Sequence, residues 1–177
     1  MAAFVTGAKA LKVGDPIDPT TDVGPMVDGA AASRTQRWVD EALALGGKAL
    51  LGGKADGTFF PPTVLTDVPD TAQVCSNEAF APLVVAFPFS DLGEAIANVN
   101  DSMFGLQTGV FTNDLMGAWQ AFNDLEVGGV IVNDIPTYRI DHMPYGGVKD
   151  SGLGREGLRW AIEDMTELRI MVLAQPA

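Results

Sequence analysis

The stretch "PYGGVKDSGLGREG", from Pro144 to Gly157, decides how this chain is read. Within it, Gly152-Leu153-Gly154-Arg155-Glu156-Gly157 spells G-x-G-x-x-G, the pattern of a loop that cradles a dinucleotide pyrophosphate. Such a loop leaves a strand, opens a helix, and is followed about 20 residues later by an acidic residue at the end of the next strand. Here the preceding residues, "GGVKDS", carry no strand pattern, and only 20 residues follow Gly157, fewer than the roughly 30 of a βαβ unit. The glycines are therefore expected to serve tight turns and close backbone packing, where φ > 0 or the lack of a side chain is needed. Lys149 and Arg155 are expected to tie this loop down or to cap nearby carbonyls.

On the C-terminal side of the stretch, Gly154 to Asp164 has a helical pattern, and "TELRIMVL" reads as a strand at about residues 166–173. On the N-terminal side, Pro136 to Asp150 is a long loop. It follows the apolar strand "GGVIVND", a helix capped by Asn113-Asp114 that runs through Asn123, and the strand "GLQTGVFT". Further upstream, Asp91 and Glu94 open a helix that reaches about Asn100. "LVVAFPF" (Leu83 to Phe89) is a run of the buried-strand type. "FFPPTVLTDV" is extended, because proline excludes helix there, and "KALLGG" is a short strand. Residues 28–45 form an amphipathic helix with Trp38, Ala42 and Leu45 on one stripe and Gly46-Gly47 as its stop. In "MAAFVTGAKALKVGDP", Phe4, Ala8 and Leu11 share a helical face that Gly14 ends; with no capping residue ahead, the chain reads as starting inside a helix. Strands alternating with helices of about ten residues predict an α/β fold, a largely parallel sheet flanked by helices in a single domain over 1–177.

Composition bounds the function. The chain has 177 residues, 47% hydrophobic and 19% charged, a balance that folds. A net charge of −12 excludes nucleic acid as a partner, since neutralising phosphates needs a basic face. No apolar run approaches the roughly 20 residues that cross a bilayer, and the N-terminus lacks a signal-peptide pattern. The single cysteine, Cys75, rules out an internal disulfide framework and fits a reducing cytoplasm.

Several pieces then line up in one order: "ALKVGDPIDPTTDVGPMV" at 10–27, "GGKADGTFFPPTVLTDVP" at 52–69, "NEAFAPLV" at 77–84, "FGLQTGVFTND" at 104–114, "GGVIVND" at 128–134 and the glycine-rich stretch at 144–157. Together they resemble the C-terminal part of the aldehyde dehydrogenase superfamily, collinearly over essentially the whole chain. The resemblance implies that family's catalytic-domain fold, with the tail strand adding to a neighbouring subunit to give a homo-oligomer, a dimer or tetramer. It implies oxidation of an aldehyde to a carboxylic acid with NAD or NADP: a cysteine thiolate attacks the aldehyde, hydride leaves for the coenzyme, and water activated by a glutamate hydrolyses the thioester.

In the family the coenzyme-binding segment, the nucleophile, the base and the oxyanion asparagine all precede the opening helix of this sequence. No catalytic residue and no metal ligand is thus assigned within the chain, which is expected to be inactive by itself. Cys75 lies beyond the place of the family nucleophile, no histidine stands near it in sequence, and it is expected to be inert. For coenzyme binding the resemblance implies Glu78, accepting hydrogen bonds from the nicotinamide ribose, and Phe80, packing beside the ring; Ala81 departs from the family's usual glycine. Arg34 falls where relatives carry a lysine toward the adenosine ribose, or is a solvated helix charge. For the aldehyde it implies the loop "NDIPTYRIDHMPYGG" (Asn133 to Gly147), with Tyr138 and Tyr145 as aromatic wall and Arg139 as a cation for a carboxylate or phosphate on a small anionic or hydroxylated substrate. The plainer alternative for Arg139 is a local salt bridge with Asp141. His142 is expected to be an ordinary loop histidine. A non-catalytic interaction module that uses the family's oligomerisation surface is the alternative reading of the whole chain.

Overall fold

The computed structural model describes residues 1–175. Within the span expected as one domain, the residues group into two compact units, one over Met1–Pro88 and one beginning at Phe89. Each builds a core of its own.

The first unit opens with α1 (Ala2–Ala10), whose first turn has no side-chain cap, as its sequence lacks a capping residue. The next helix, α2 (Gly29–Ala44), starts where the Asp28 carboxylate accepts a hydrogen bond from the Ala31 amide at 2.7 Å. Its buried stripe is Ala31, Thr35, Val39 and Ala42, at the three- and four-residue spacing of one helical face. The stripe anticipated from Trp38, Ala42 and Leu45 is therefore rotated: Trp38 is only half-buried and Leu45 lies exposed beyond the helix. Strands β1 (Lys48–Leu51), β2 (Thr63–Thr66) and β3 (Leu83–Ala86) form one sheet with β2 in the middle. β1 pairs with β2 antiparallel, and β2 with β3 parallel, from Thr63↔Leu83 to Thr66↔Ala86. Being central, β2 buries Thr63, Val64 and Leu65 on both faces. Val39 and Ala42 of α2 pack with Phe60, Leu65, Val68, Ala72 and Val74. Phe60 and Leu65 are fully buried, and each contributes about 1.5–3 kcal/mol of apolar burial.

The second unit runs α4 (Leu92–Asn100), β4 (Phe104–Gly105), β5 (Gln107–Val110), α5 (Leu115–Asp124), β6 (Gly129–Val132), β7 (Val148–Lys149) and α6 (Leu158–Met165). Both helix starts anticipated from aspartates are capped by them. Asp91 accepts from the Glu94 amide at 3.0 Å, and Asp114 accepts from the amides of Met116 and Gly117. The β5–α5–β6 segment is a strand–helix–strand unit whose strands pair in parallel, from Gln107↔Gly129 to Val110↔Val132. Ile96, Ala121 and Leu125 form the small core beneath it. β4 and β7 pair antiparallel.

The α/β class and the parallel pairing of the two four-residue ladders are as the sequence implies, with antiparallel pairs added around them. The stretch expected as a loop over Pro136–Asp150 contains β7 at its end, because Val148 and Lys149 find ladder partners in Gly105 and Phe104; the last helix and the tail differ as well. The last helix begins at Leu158 rather than Gly154, because Gly154 (φ 72°) and Gly157 (φ 117°) take backbone angles that a right-handed helix cannot use. The tail expected as a strand forms none over residues 166–175, since a strand needs a ladder partner and these residues find none among the described residues. Its apolar side chains Leu168, Ile170, Met171, Val172 and Leu173 stand exposed. Among the described residues, no helix is long and apolar enough to cross a membrane.

Candidate functional site

The candidate site residues fall in two groups, one in each unit. In the first unit, the four-residue helix α3 (Gln73–Ser76) escaped the sequence reading, having too few residues to show a period. Asn77 closes it, its amide donating to the Gln73 carbonyl at 3.0 Å and its side chain to the Gln73 side-chain oxygen at 3.0 Å. From there the chain exits past Glu78, which is exposed, to Phe80. Phe80 sits in the left-handed region at φ 46°, a conformation that costs a residue with a side chain about 1–2 kcal/mol. The reversal falls on Phe80 and not on Ala81, so alanine in place of the family's usual glycine causes no clash with a positive φ. Phe80 is 78% exposed, an uncommon fate for phenylalanine.

Cys75 belongs to α3 but faces the other way, half-buried against the core of the first unit. Burial, and secondarily the Asp70 carboxylate, pushes its thiol pKa up, which leaves little thiolate near neutrality. That is the environment of an inert cysteine. Arg34 lies on α2 with its guanidinium over the Trp38 ring, 5.5 Å from the centroid.

In the second unit the site loop starts at the end of β6. Asn133 takes a left-handed φ of 61°, and its side-chain oxygen accepts from the Thr112 amide at 2.9 Å. Gln107 of β5 reaches across and donates to the carbonyls of Pro136 (2.7 Å) and Tyr138 (2.8 Å), so the sheet itself holds the loop. Tyr145 and Glu156 form an antiparallel bridge, each amide donating to the other's carbonyl, at 3.1 and 2.6 Å. This bridge folds the glycine-rich stretch back onto the loop and delivers Glu156 to Arg139.

Arg139 Nη2 donates to Glu156 Oε2 at 2.9 Å, and its guanidinium lies over the Tyr145 ring, 5.4 Å from the centroid. The partner anticipated from local sequence, Asp141, also forms an ion pair with Nη1, at the longer distance of 3.8 Å and without a hydrogen bond. Of the three residues assigned to the aldehyde, Arg139 and Tyr145 are thus brought together. Tyr138 is exposed and joins the loop through its backbone. Glu156 completes the group and was missed; seventeen residues separate it from Arg139, and nothing local in "GREG" marks it as an ion-pair partner. His142 is exposed on the same loop.

The glycine-rich stretch holds no phosphate cradle. Arg155 Nη1 donates to the carbonyls of Gly147 (2.9 Å) and Gly154 (2.7 Å), and the Ser151 hydroxyl accepts from the Gly105 amide at 3.0 Å. Lys149 Nζ donates to the carbonyls of Asn100 and Ser102 and pairs with Glu126. Both basic residues therefore act as carbonyl caps, as expected for a loop that is tied down.

A family model described as aldehyde dehydrogenase family matches residues 1–171. A 3-sulfolactaldehyde dehydrogenase of Priestia aryabhattai is 54% identical over 175 residues, covering 97% of this chain and 37% of that protein. The crystal structure of aldehyde dehydrogenase 21 from Physcomitrella patens, in complex with the reaction product succinate, superposes with a TM-score of 0.92 at 48% identity, over 94% of this chain and 34% of that one. The glyceraldehyde-3-phosphate dehydrogenase of Methanocaldococcus jannaschii, complexed with NADP, gives a TM-score of 0.88 at 42% identity, over 93% and 36%. The chain thus spans about a third of the length of each.

Proposed function

Because this chain belongs to the aldehyde dehydrogenase family, we propose that it forms the C-terminal part of an NAD(P)-dependent enzyme that oxidises a short aldehyde bearing an anionic group. The observation that carries the reading is Arg139: a guanidinium seated on an aromatic ring, on a loop that the sheet anchors, with one nitrogen tied and others left to donate. Planar, bidentate hydrogen bonding makes arginine suited to carboxylate, sulfonate and phosphate alike. The relatives lend support, since the compounds in their names carry such groups: a sulfonate in sulfolactaldehyde, carboxylates in succinate and a phosphate in glyceraldehyde 3-phosphate.

For the coenzyme, the residues in hand fit. The exposed Phe80 ring offers a face to a flat heterocycle, and the exposed Glu78 carboxylate two residues before it can accept hydrogen bonds from a pair of ribose hydroxyls. Bound NAD or NADP would supply the hydride acceptor; Glu78 and Phe80 would orient it. Tyr145 and Tyr138 would wall the aldehyde side and exclude water, and Arg139 would fix the substrate's far end so that the aldehyde carbon is held for attack.

The nucleophile is not Cys75, whose burial opposes ionisation. The 177-residue chain assayed alone is therefore expected to form no NAD(P)H from short aldehydes, and turnover by it would overturn the reading. In the complete enzyme, Arg139→Leu should raise KM for succinic semialdehyde far more than KM for butanal, and equal effects on both would remove the anionic part of the proposal. The exposed apolar tail, Leu168 to Leu173, supports homo-oligomer formation by strand addition to a neighbouring subunit, in a cytoplasmic protein.

A further inference from the structure

We infer that Glu156 is a positioning residue for substrate recognition: together with the Tyr145 ring it holds the Arg139 guanidinium in the orientation that receives the substrate's anionic group. The inference rests on the anionic-aldehyde reading of Arg139.

An arginine on an exposed loop samples many rotamers, and ordering it at the moment of binding subtracts from affinity. Here the ordering is done beforehand, at two points. Glu156 Oε2 holds Nη2 at 2.9 Å from one side, and the Tyr145 ring supports the guanidinium plane at 5.4 Å. The two supports are themselves coupled, because the amides and carbonyls of Tyr145 and Glu156 bond reciprocally at 3.1 and 2.6 Å. The main chains that carry the ring and the carboxylate are therefore fixed to each other.

The hold is also incomplete in a useful way. Nη2 carries two N–H bonds, one on each edge of the guanidinium fork, and a single carboxylate oxygen occupies one of them. The other edge keeps two parallel donors, the number that a carboxylate, sulfonate or phosphate takes up bidentately. Asp141 forms an ion pair with Nη1 at 3.8 Å but no hydrogen bond, so it does not occupy those donors. Glu156 does reduce the net positive charge that an approaching anion meets. At this exposed place water and salt screen that effect, whereas the geometric hold is retained.

The test compares KM for succinic semialdehyde with KM for butanal, an anionic and a neutral aldehyde of equal carbon number, in the complete enzyme containing residues 1–177. Glu156→Leu should raise the ratio of the two about five- to tenfold, with the rise in the anionic KM. Glu156→Gln, which keeps an acceptor oxygen for Nη2, should bring the ratio back to within about twofold of the parent. Tyr145→Leu, removing the other support, should raise it as well and serves if Glu156→Leu does not fold. A ratio that stays put or falls in Glu156→Leu and Tyr145→Leu, while Arg139→Leu raises it, overturns the positioning role and leaves the anionic reading intact. A ratio unmoved by Arg139→Leu overturns both.

Discussion

Lys149 donates from its ammonium group to the main-chain carbonyl of Asn100 at 2.7 Å, joining the edge of the glycine-rich stretch to the C-terminal end of α4. The same nitrogen reaches the Ser102 carbonyl at 3.1 Å and the Glu126 carboxylate at 2.7 Å, with its side chain only 25% exposed. A cation placed among the last carbonyls of a helix satisfies acceptors that the helix leaves open. Lys149→Met should therefore destabilise the second unit by about 1–3 kcal/mol, the usual cost of stranding partners of a charged donor. Urea unfolding followed by circular dichroism measures it, and a shift within error of the parent would show that water replaces the ammonium.

Two glycines of this region should respond very differently to alanine. A Cβ on Gly128 would collide with the Gly146 carbonyl oxygen, backbone against backbone, so one strand connection must move. Gly152 has φ 117° but open space around it, so alanine there meets backbone strain alone. Gly152→Ala is expected to cost about 1–3 kcal/mol, and Gly128→Ala more than that, enough to lower soluble yield. Thermal denaturation of the two variants side by side decides the order.

Cys75 should label slowly. With its pKa raised by burial and by Asp70, the folded chain presents less thiolate at neutral pH than the unfolded chain does. Iodoacetamide alkylation near pH 7 should accelerate on adding denaturant, and modestly in Asp70→Asn. The sign for stability follows: a thiol whose folded pKa is raised adds stability that is present at neutral pH and is lost as the pH climbs through the thiol range. Fast labelling of the native chain at pH 7 would mean an activated thiol and would reopen the search for a nucleophile.

The start of α4 should be acid-sensitive. Glu94 accepts from the Ser90 hydroxyl at 2.6 Å and the Ser90 amide at 2.7 Å, while Asp91 caps the Glu94 amide, a reciprocal box. These hydrogen bonds from Ser90 lower the Glu94 pKa, so its stabilisation holds above the ordinary carboxylate range and fades as the pH falls through the lowered value. Helical circular dichroism titrated from pH 7 to pH 2 should lose less signal at the acid end in Glu94→Gln than in the parent. Identical titrations would assign the acid transition to other carboxylates.

The sequence by itself determined most of the longer elements and their order. Asp28, Asp91 and Asp114 cap their helices through contacts two or three residues away, and the apolar runs at 63–66, 83–86 and 129–132 need only the two-residue alternation or full burial of a strand to be recognised. It also exposed the G-x-G-x-x-G stretch as a loop, since the flanking residues could not build the strand that such a fingerprint requires. Glu78, Phe80, Arg139 and Tyr145 were legible through a family pattern, though no period or charge run singles them out. What only the tertiary structure decided is which groups meet. Asp141 is two residues from Arg139 and Glu156 is seventeen, yet the bridge between Tyr145 and Glu156 makes the distant carboxylate the near one. Likewise "TELRIMVL" carries the pattern of a strand but pairs with nothing among the described residues. Capping and periodicity are local properties of a peptide, whereas pairing is set by the path of the whole backbone.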